Sequence, residues 1–145
     1  MSKTLVMKFG GTSVGSVDAL KSATEIIRDA KKDWDRVVVV TSAMSGVTNL
    51  LLDSAASASH GKVDALPQAE STLREKHFAA ADALIKDEAK REATKQDINT
   101  LILSLVDLCK AIAVLGEASP RAMARKFAGT FHRRPHFRPQ RRWRF

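Results

Sequence analysis

The stretch TLVMKFGGTSVGSVDALKSATEIIRDAKKDWDRVVVVT, residues 4–41, decides the fold. Its first six residues, TLVMKF, read as a short buried strand. Gly10, Gly11 and Gly15 follow in a loop with Thr12, Ser13 and Ser16. From Val17 the apolar residues recur at helical spacing, at Leu20, Ala23, Ile27 and Ala30. Ser16 suits the N-cap, where a hydroxyl takes an orphan backbone N–H. Lys31 and Lys32 suit the negative end of the helix dipole. Arg36-Val37-Val38-Val39-Val40-Thr41 is a β-branched run, as expected of a strand covered on both faces in a parallel sheet. These segments predict one βαβ unit and an α/β fold.

Further along, Ser42-Ala43-Met44-Ser45-Gly46-Val47 forms a second loop leading into a helix over about residues 48–59. Gly61 suits its C-terminal stop. Residues 65–91 read as one long, charged, Ala-rich helical stretch, with Pro67 near its start, where proline is tolerated. Residues 97–115 form a stronger helix, with Ile98, Leu101, Ile102, Leu105, Leu108, Cys109 and Ile112 on one face and Gly116 ending it. Ser119-Pro120 reads as the entry to another element.

The character changes at 123/124. ARKFAGTFHRRPHFRPQRRWRF, residues 124–145, contains no Val, Ile or Leu and five of the chain's eight Phe and Trp residues. Pro135 and Pro139 break any helix there. The net charge of +8 resides in this stretch, which holds eight of the 24 Lys and Arg and no acid. Residues 1–123 are neutral, so the charge is no argument that they bind nucleic acid. We therefore divide the chain into residues 1–123 and a basic, disordered tail over 124–145.

A length of 145 residues fits one domain, and an apolar fraction of 44% supports a core. A single cysteine, Cys109, rules out an internal disulfide and fits a reducing compartment. The N-terminus lacks a secretory signal pattern, and no run approaches the roughly 18 apolar residues of a membrane span. A cytoplasmic protein is the expectation.

Two loops can carry chemistry. In Lys8-Phe9-Gly10-Gly11-Thr12-Ser13, glycines after a strand let the backbone approach a ligand, and the N–H groups suit a phosphate. Lys8, at the strand end, can reach the same place and neutralise phosphoryl charge. The wording is neither G-x-x-x-x-G-K-[ST] nor G-x-G-x-x-G, so a tight turn beside a solvated lysine fits the pattern equally well. The second loop also lies at the carboxyl end of a strand, where open parallel sheets bind ligands. Ser42, Ser45 and Thr48 can bond a small polar substrate, or Ser45 or Thr48 can simply cap the next helix.

KFGGTSVGS at 8–16 and VVVVTSAMSGVTNLLL at 37–52 resemble, in order and separation, two signatures of the aspartate kinases, members of the amino-acid kinase family. The resemblance covers about residues 3–123, the N-terminal part of the catalytic domain. It implies an α/β/α sandwich, here incomplete, with a parallel sheet core and helices on both faces. It implies transfer of the ATP γ-phosphate to the β-carboxylate of L-aspartate with Mg²⁺, on the route to lysine, threonine and methionine. Lys8 matches the catalytic lysine, and Lys8, Gly10, Gly11 and Ser13 the ATP phosphate site. Ser42 and Thr48 match positions that contact aspartate. No metal ligand is identifiable, and the resemblance leaves oligomerisation open.

Ser119-Pro120-Arg121-Ala122-Met123 matches the approach to the family's G-E-R-x-S segment, but Ala124 replaces the expected acid and no such segment follows. Glu117 precedes that approach, so it reads as a helix-end surface acid. We expect a truncated or frame-shifted chain, inactive alone. The alternative from another class is a nucleic-acid or anionic-surface binder acting through Arg and aromatic residues of the tail. It ranks lower, because such tails are more often disordered. His132 and His136 are spaced i,i+4 without further ligands, so no metal site is expected. His60 reads as a helix-end residue, His77 as an exposed helical one, Cys109 as core, and Met44 as loop packing against the sheet.

Overall fold

The computed structural model describes residues 3–115. Strand β1 (Thr4–Phe9) leads through a 3-10 turn (Thr12–Val14) to helix α1 (Val17–Asp33) and strand β2 (Arg36–Thr41). Helices α2 (Val47–Ser59), α3 (Leu66–Leu84) and α4 (Glu88–Leu115) follow. The two strands are parallel and in register from Thr4 opposite Arg36 to Phe9 opposite Thr41. This is the expected βαβ unit, with both strand ranges as read from the sequence.

Local chemistry fixes its boundaries. Ser16 caps α1, its Oγ accepting from the Ala19 N–H at 3.2 Å. Asp18 in the first turn and Lys31 and Lys32 in the last complement the helix dipole. Asp35 ties the return to the sheet. Its carboxylate accepts from the Lys3 N–H at 2.7 Å and its carbonyl from Lys31 Nζ at 3.0 Å.

The sheet is covered unevenly. Leu5, Met7 and Phe9 of β1 and Val37 of β2 are half-buried. Val6, Val38 and Val40, on the other face, are 64%, 47% and 50% exposed. The expectation that β2 is covered on both faces is therefore corrected for the described residues. A Val-rich run reports β-propensity and apolarity, and neither fixes which neighbours cover it.

The main core lies among the helices. Val47 and Ala58 of α2, Leu66 and Leu73 of α3, and Ile102, Leu105, Cys109 and Ile112 of α4 form one buried cluster. The apolar face read for residues 97–115 supplies its α4 side, and Cys109 is fully buried, as expected. Burial pushes the Cys109 thiol pKa above its ordinary value. Met44 packs against this helical cluster. His77 is half-buried rather than exposed, its Nδ1 2.7 Å from the Leu73 carbonyl oxygen.

The single helix expected over 65–91 is two. α3 ends at Leu84, Ile85 is extended, and α4 starts at Glu88, nine residues before the expected start at Asp97. Asp87 makes the new start, accepting the Lys90 N–H on its side chain at 3.0 Å and the Arg91 N–H on its carbonyl at 2.9 Å. Across the break, Arg91 and Lys95 of α4 both pair with Asp82 of α3. The hydrogen-bonded Asp82 carboxylate holds the Lys95 pKa above its usual value.

By length and composition α4 is long and apolar enough to cross a membrane, which corrects the expectation that no stretch approaches a span. Such a helix is weak evidence of a span, and here its apolar stripe packs on α2 and α3. The expectations for Gly116, Glu117, residues 119–123, His132, His136 and the tail over 124–145 lie outside the described residues.

Candidate functional site

The two loops named from the sequence meet at the carboxyl ends of the strands. The Ser42 N–H donates to the Phe9 carbonyl at 3.0 Å, which carries the strand pairing one step past β2. Gly11 then lies against the second loop. A Cβ built on it would sit 3.8 Å from the Ala43 carbonyl oxygen and 3.9 Å from Ser42 Oγ. At Gly10 the same construction falls 3.9 Å from Lys8 Nζ, so the ammonium lies over the glycine backbone. Lys8 is exposed, and among the described residues no acid pairs with it. The structure thus brings Lys8, Gly10, Gly11 and Ser42 together.

Gly15 holds the loops at this spacing. A side chain there would meet the Gly11 carbonyl oxygen at 2.7 Å and Ser45 Cβ at 3.0 Å. Its φ of −76° is open to any residue, so proximity alone demands glycine. The sequence placed Gly15 in the loop but gave no sign of this contact. Val14, 3% exposed, anchors the 3-10 turn beside it.

Ser13 sits in the 3-10 turn, and Thr48 in the first turn of α2; both are exposed, as is Ser42. Among the described residues no hydrogen bond links Ser13 or Thr48 to the opposite loop. The capping alternative for Ser45 and Thr48 is corrected. Gly46 is the N-cap of α2, at φ +79°, with no side-chain hydrogen bond. This left-handed conformation suits glycine and leaves the serine and threonine hydroxyls free of capping duty.

One group at the site was not read from the sequence. Lys76 of α3 donates from Nζ to the Ser45 carbonyl oxygen at 3.3 Å, across 31 residues of chain. A lysine on a charged helix carries no local signal of such a contact.

Elsewhere, a cavity of about 150 Å³ lies among the helices, lined by Val47, Leu73, His77, Ile98, Leu105 and Leu108 among others. It is almost wholly apolar and touches the second loop only at its end, Val47. Among the described residues no group of three or more His, Cys, Asp or Glu could hold a metal ion.

Comparison with known proteins places the chain in a family. The sequence profile of the amino acid kinase family matches residues 3–131. The chain belongs to the amino acid kinase family. Within that family it is similar to the N-terminal catalytic region of aspartate kinases. An aspartate kinase of Pseudomonas putida is 49% identical over 51 residues, covering 35% of this chain and 12% of that protein. A chloroplastic bifunctional aspartokinase/homoserine dehydrogenase of Daucus carota is 33% identical over 115 residues, covering 79% of this chain and 12% of that protein. The structure of E. coli aspartokinase III in complex with lysine and aspartate (T-state) superposes with a TM-score of 0.66 at 27% identity. That match covers 89% of this chain and 26% of the aspartokinase chain. The α/β fold expected from the sequence is thus the amino acid kinase fold in part. The chain spans 12% of the length of the curated relatives it matches.

Proposed function

We propose that this chain carries the phosphate loop and the first substrate loop of an aspartate kinase. The reaction transfers the γ-phosphate of ATP to the β-carboxylate of L-aspartate, in the cytoplasm, on the route to lysine, threonine and methionine. One observation carries the reading. Two loops abut at the carboxyl ends of parallel strands, Gly11 against Ser42 and Ala43, with the Lys8 ammonium beside Gly10. Relatives that bear the name aspartate kinase support the choice of substrate.

In this reading the backbone N–H groups of Gly10 and Gly11 and the Ser13 hydroxyl donate to phosphate oxygens. Lys8 offsets the charge that spreads over the phosphoryl oxygens in the transition state. Ser42 and Thr48 donate to L-aspartate and orient its β-carboxylate. A carboxylate oxygen forms the new bond to the γ-phosphorus as the bond to the ADP oxygen breaks. No protein nucleophile is needed, so the residues act by position and charge. Mg²⁺, carried with the nucleotide, would supply further charge neutralisation.

Titration calorimetry of MgATP into the 145-residue chain tests the phosphate loop. Lys8→Ala should weaken binding about tenfold, the scale of one charge-assisted hydrogen bond. Equal affinity in the two proteins would overturn the assignment. ADP formation that depends on L-aspartate and disappears in Lys8→Ala would extend the reading to catalysis. ADP formation that survives in the variant would remove Lys8 from it.

A further inference from the structure

We infer that Lys76 is a positioning residue for the second loop, fixing the Ser45 carbonyl so that Ser42 and Thr48 are held at a set distance from the glycine loop. The role assigned to those two hydroxyls rests on the reading above; the tether itself does not.

Three observations converge on it. Lys76 Nζ donates to the Ser45 carbonyl oxygen at 3.3 Å, from a helix otherwise remote in sequence. Among the described residues no acid competes for this ammonium. Second, Ser45 is packed on its other side against the first loop, its Cβ 3.0 Å from where a Cβ on Gly15 would sit. The residue is held by its Cβ against the first loop and by its carbonyl against α3. Third, between the Ser42 bond to β1 and the buried Val47, the described residues offer the loop little local support at Ser45. α2 opens on Gly46 with no side-chain cap, and the local bond at this corner is from the Val47 N–H to the Met44 carbonyl at 3.1 Å. Glycine at φ +79° is the residue with the most freedom to leave that conformation.

The chemistry of lysine suits this role. An ammonium has three donors and no acceptor, so bonding one carbonyl leaves two N–H groups and a full charge at the loop. Lys76 is half-buried, and its bond to Ser45 lies at the exposed surface. Its positive charge also biases the second loop toward an anionic substrate such as a carboxylate.

Hydrogen exchange followed by NMR on the 145-residue chain tests the tether directly, with the Val47 amide as reporter. Lys76→Met, which keeps the aliphatic stem, should speed exchange at Val47 about fivefold, with amides of Ile102 and Cys109 unchanged. Lys76→Arg, which keeps a donor, should restore most of the protection. Unchanged Val47 exchange in Lys76→Met would overturn the proposal. So would equal acceleration at Ile102 and Cys109, which would make the lysine a general stabiliser. L-aspartate titrated into the same samples separates this from the functional reading. If the wild-type chain does not bind aspartate, the substrate assignment fails, and the exchange data still decide the tether.

Discussion

The strand half and the helix half of this chain are built on opposite terms. Residues 4–41 form a βαβ unit whose sheet leaves Val6, Val38 and Val40 open. Residues 47–115 form three helices around a closed apolar cluster from Val47 to Ile112. The loops with chemical groups belong to the half with less packing, and the helical half props them through Val47 and Lys76. Precision at the loops comes from contacts at single glycines, whereas the helices rely on collective burial. Precision and stability are therefore separable by mutation.

The largest test is in the cluster. Leu73, 3% exposed, should cost about 2–5 kcal/mol when changed to alanine, while Val38→Ala, on the open face, should cost under about 1 kcal/mol. Chemical denaturation of both variants measures this. Equal losses would erase the contrast between the halves. Next comes Gly15→Ala, whose Cβ must displace the Gly11 carbonyl or Ser45. A cost of about 1–3 kcal/mol is expected, with MgATP binding weakened by displacement of the glycine loop. Gly10→Ala, with 3.9 Å of clearance, should leave stability nearly unchanged. If both alanines behave alike, close packing between the loops is not what selects glycine.

The smallest effect concerns pH. Burial raises the Cys109 pKa in the folded chain, so that thiol's contribution is complete below its unfolded pKa of about 8.5 and is lost as pH climbs toward the folded value. The stability gap between wild type and Cys109→Ala should therefore narrow from pH 8 to 10. A constant gap would mean that the helical half admits water at Cys109, which would blur the comparison.

The strand half was the more legible in sequence. Strand–loop–helix order follows from β-branched runs, glycines and one capping serine, all local signals at Val37, Gly10 and Ser16. The break at 85–87 was missed because a charged, Ala-rich stretch has good helix propensity throughout. Its stop is marked only by Asp87, a residue equally at home on a helix surface. At the site, Lys8, Gly10, Gly11 and Ser42 were readable because they adjoin strand ends. Gly46 as the cap and Gly15 as a steric contact required the backbone path. Lys76 required the packing of α3 against the loop, which no local pattern encodes.

The open sheet face has one more consequence. Strand alternation and register put Thr4, Val6 and Lys8 on the same side as Val38 and Val40. A hydrophobic path thus runs along the sheet and ends at a single ammonium. Any surface that settles on those valines also strips water from the lysine stem and lowers the local dielectric. The field of Lys8 at the glycine loop is then less screened than it would be in open solvent. Covering the valine path would thus amplify the charge at its end, setting how strongly Lys8 is felt without moving it.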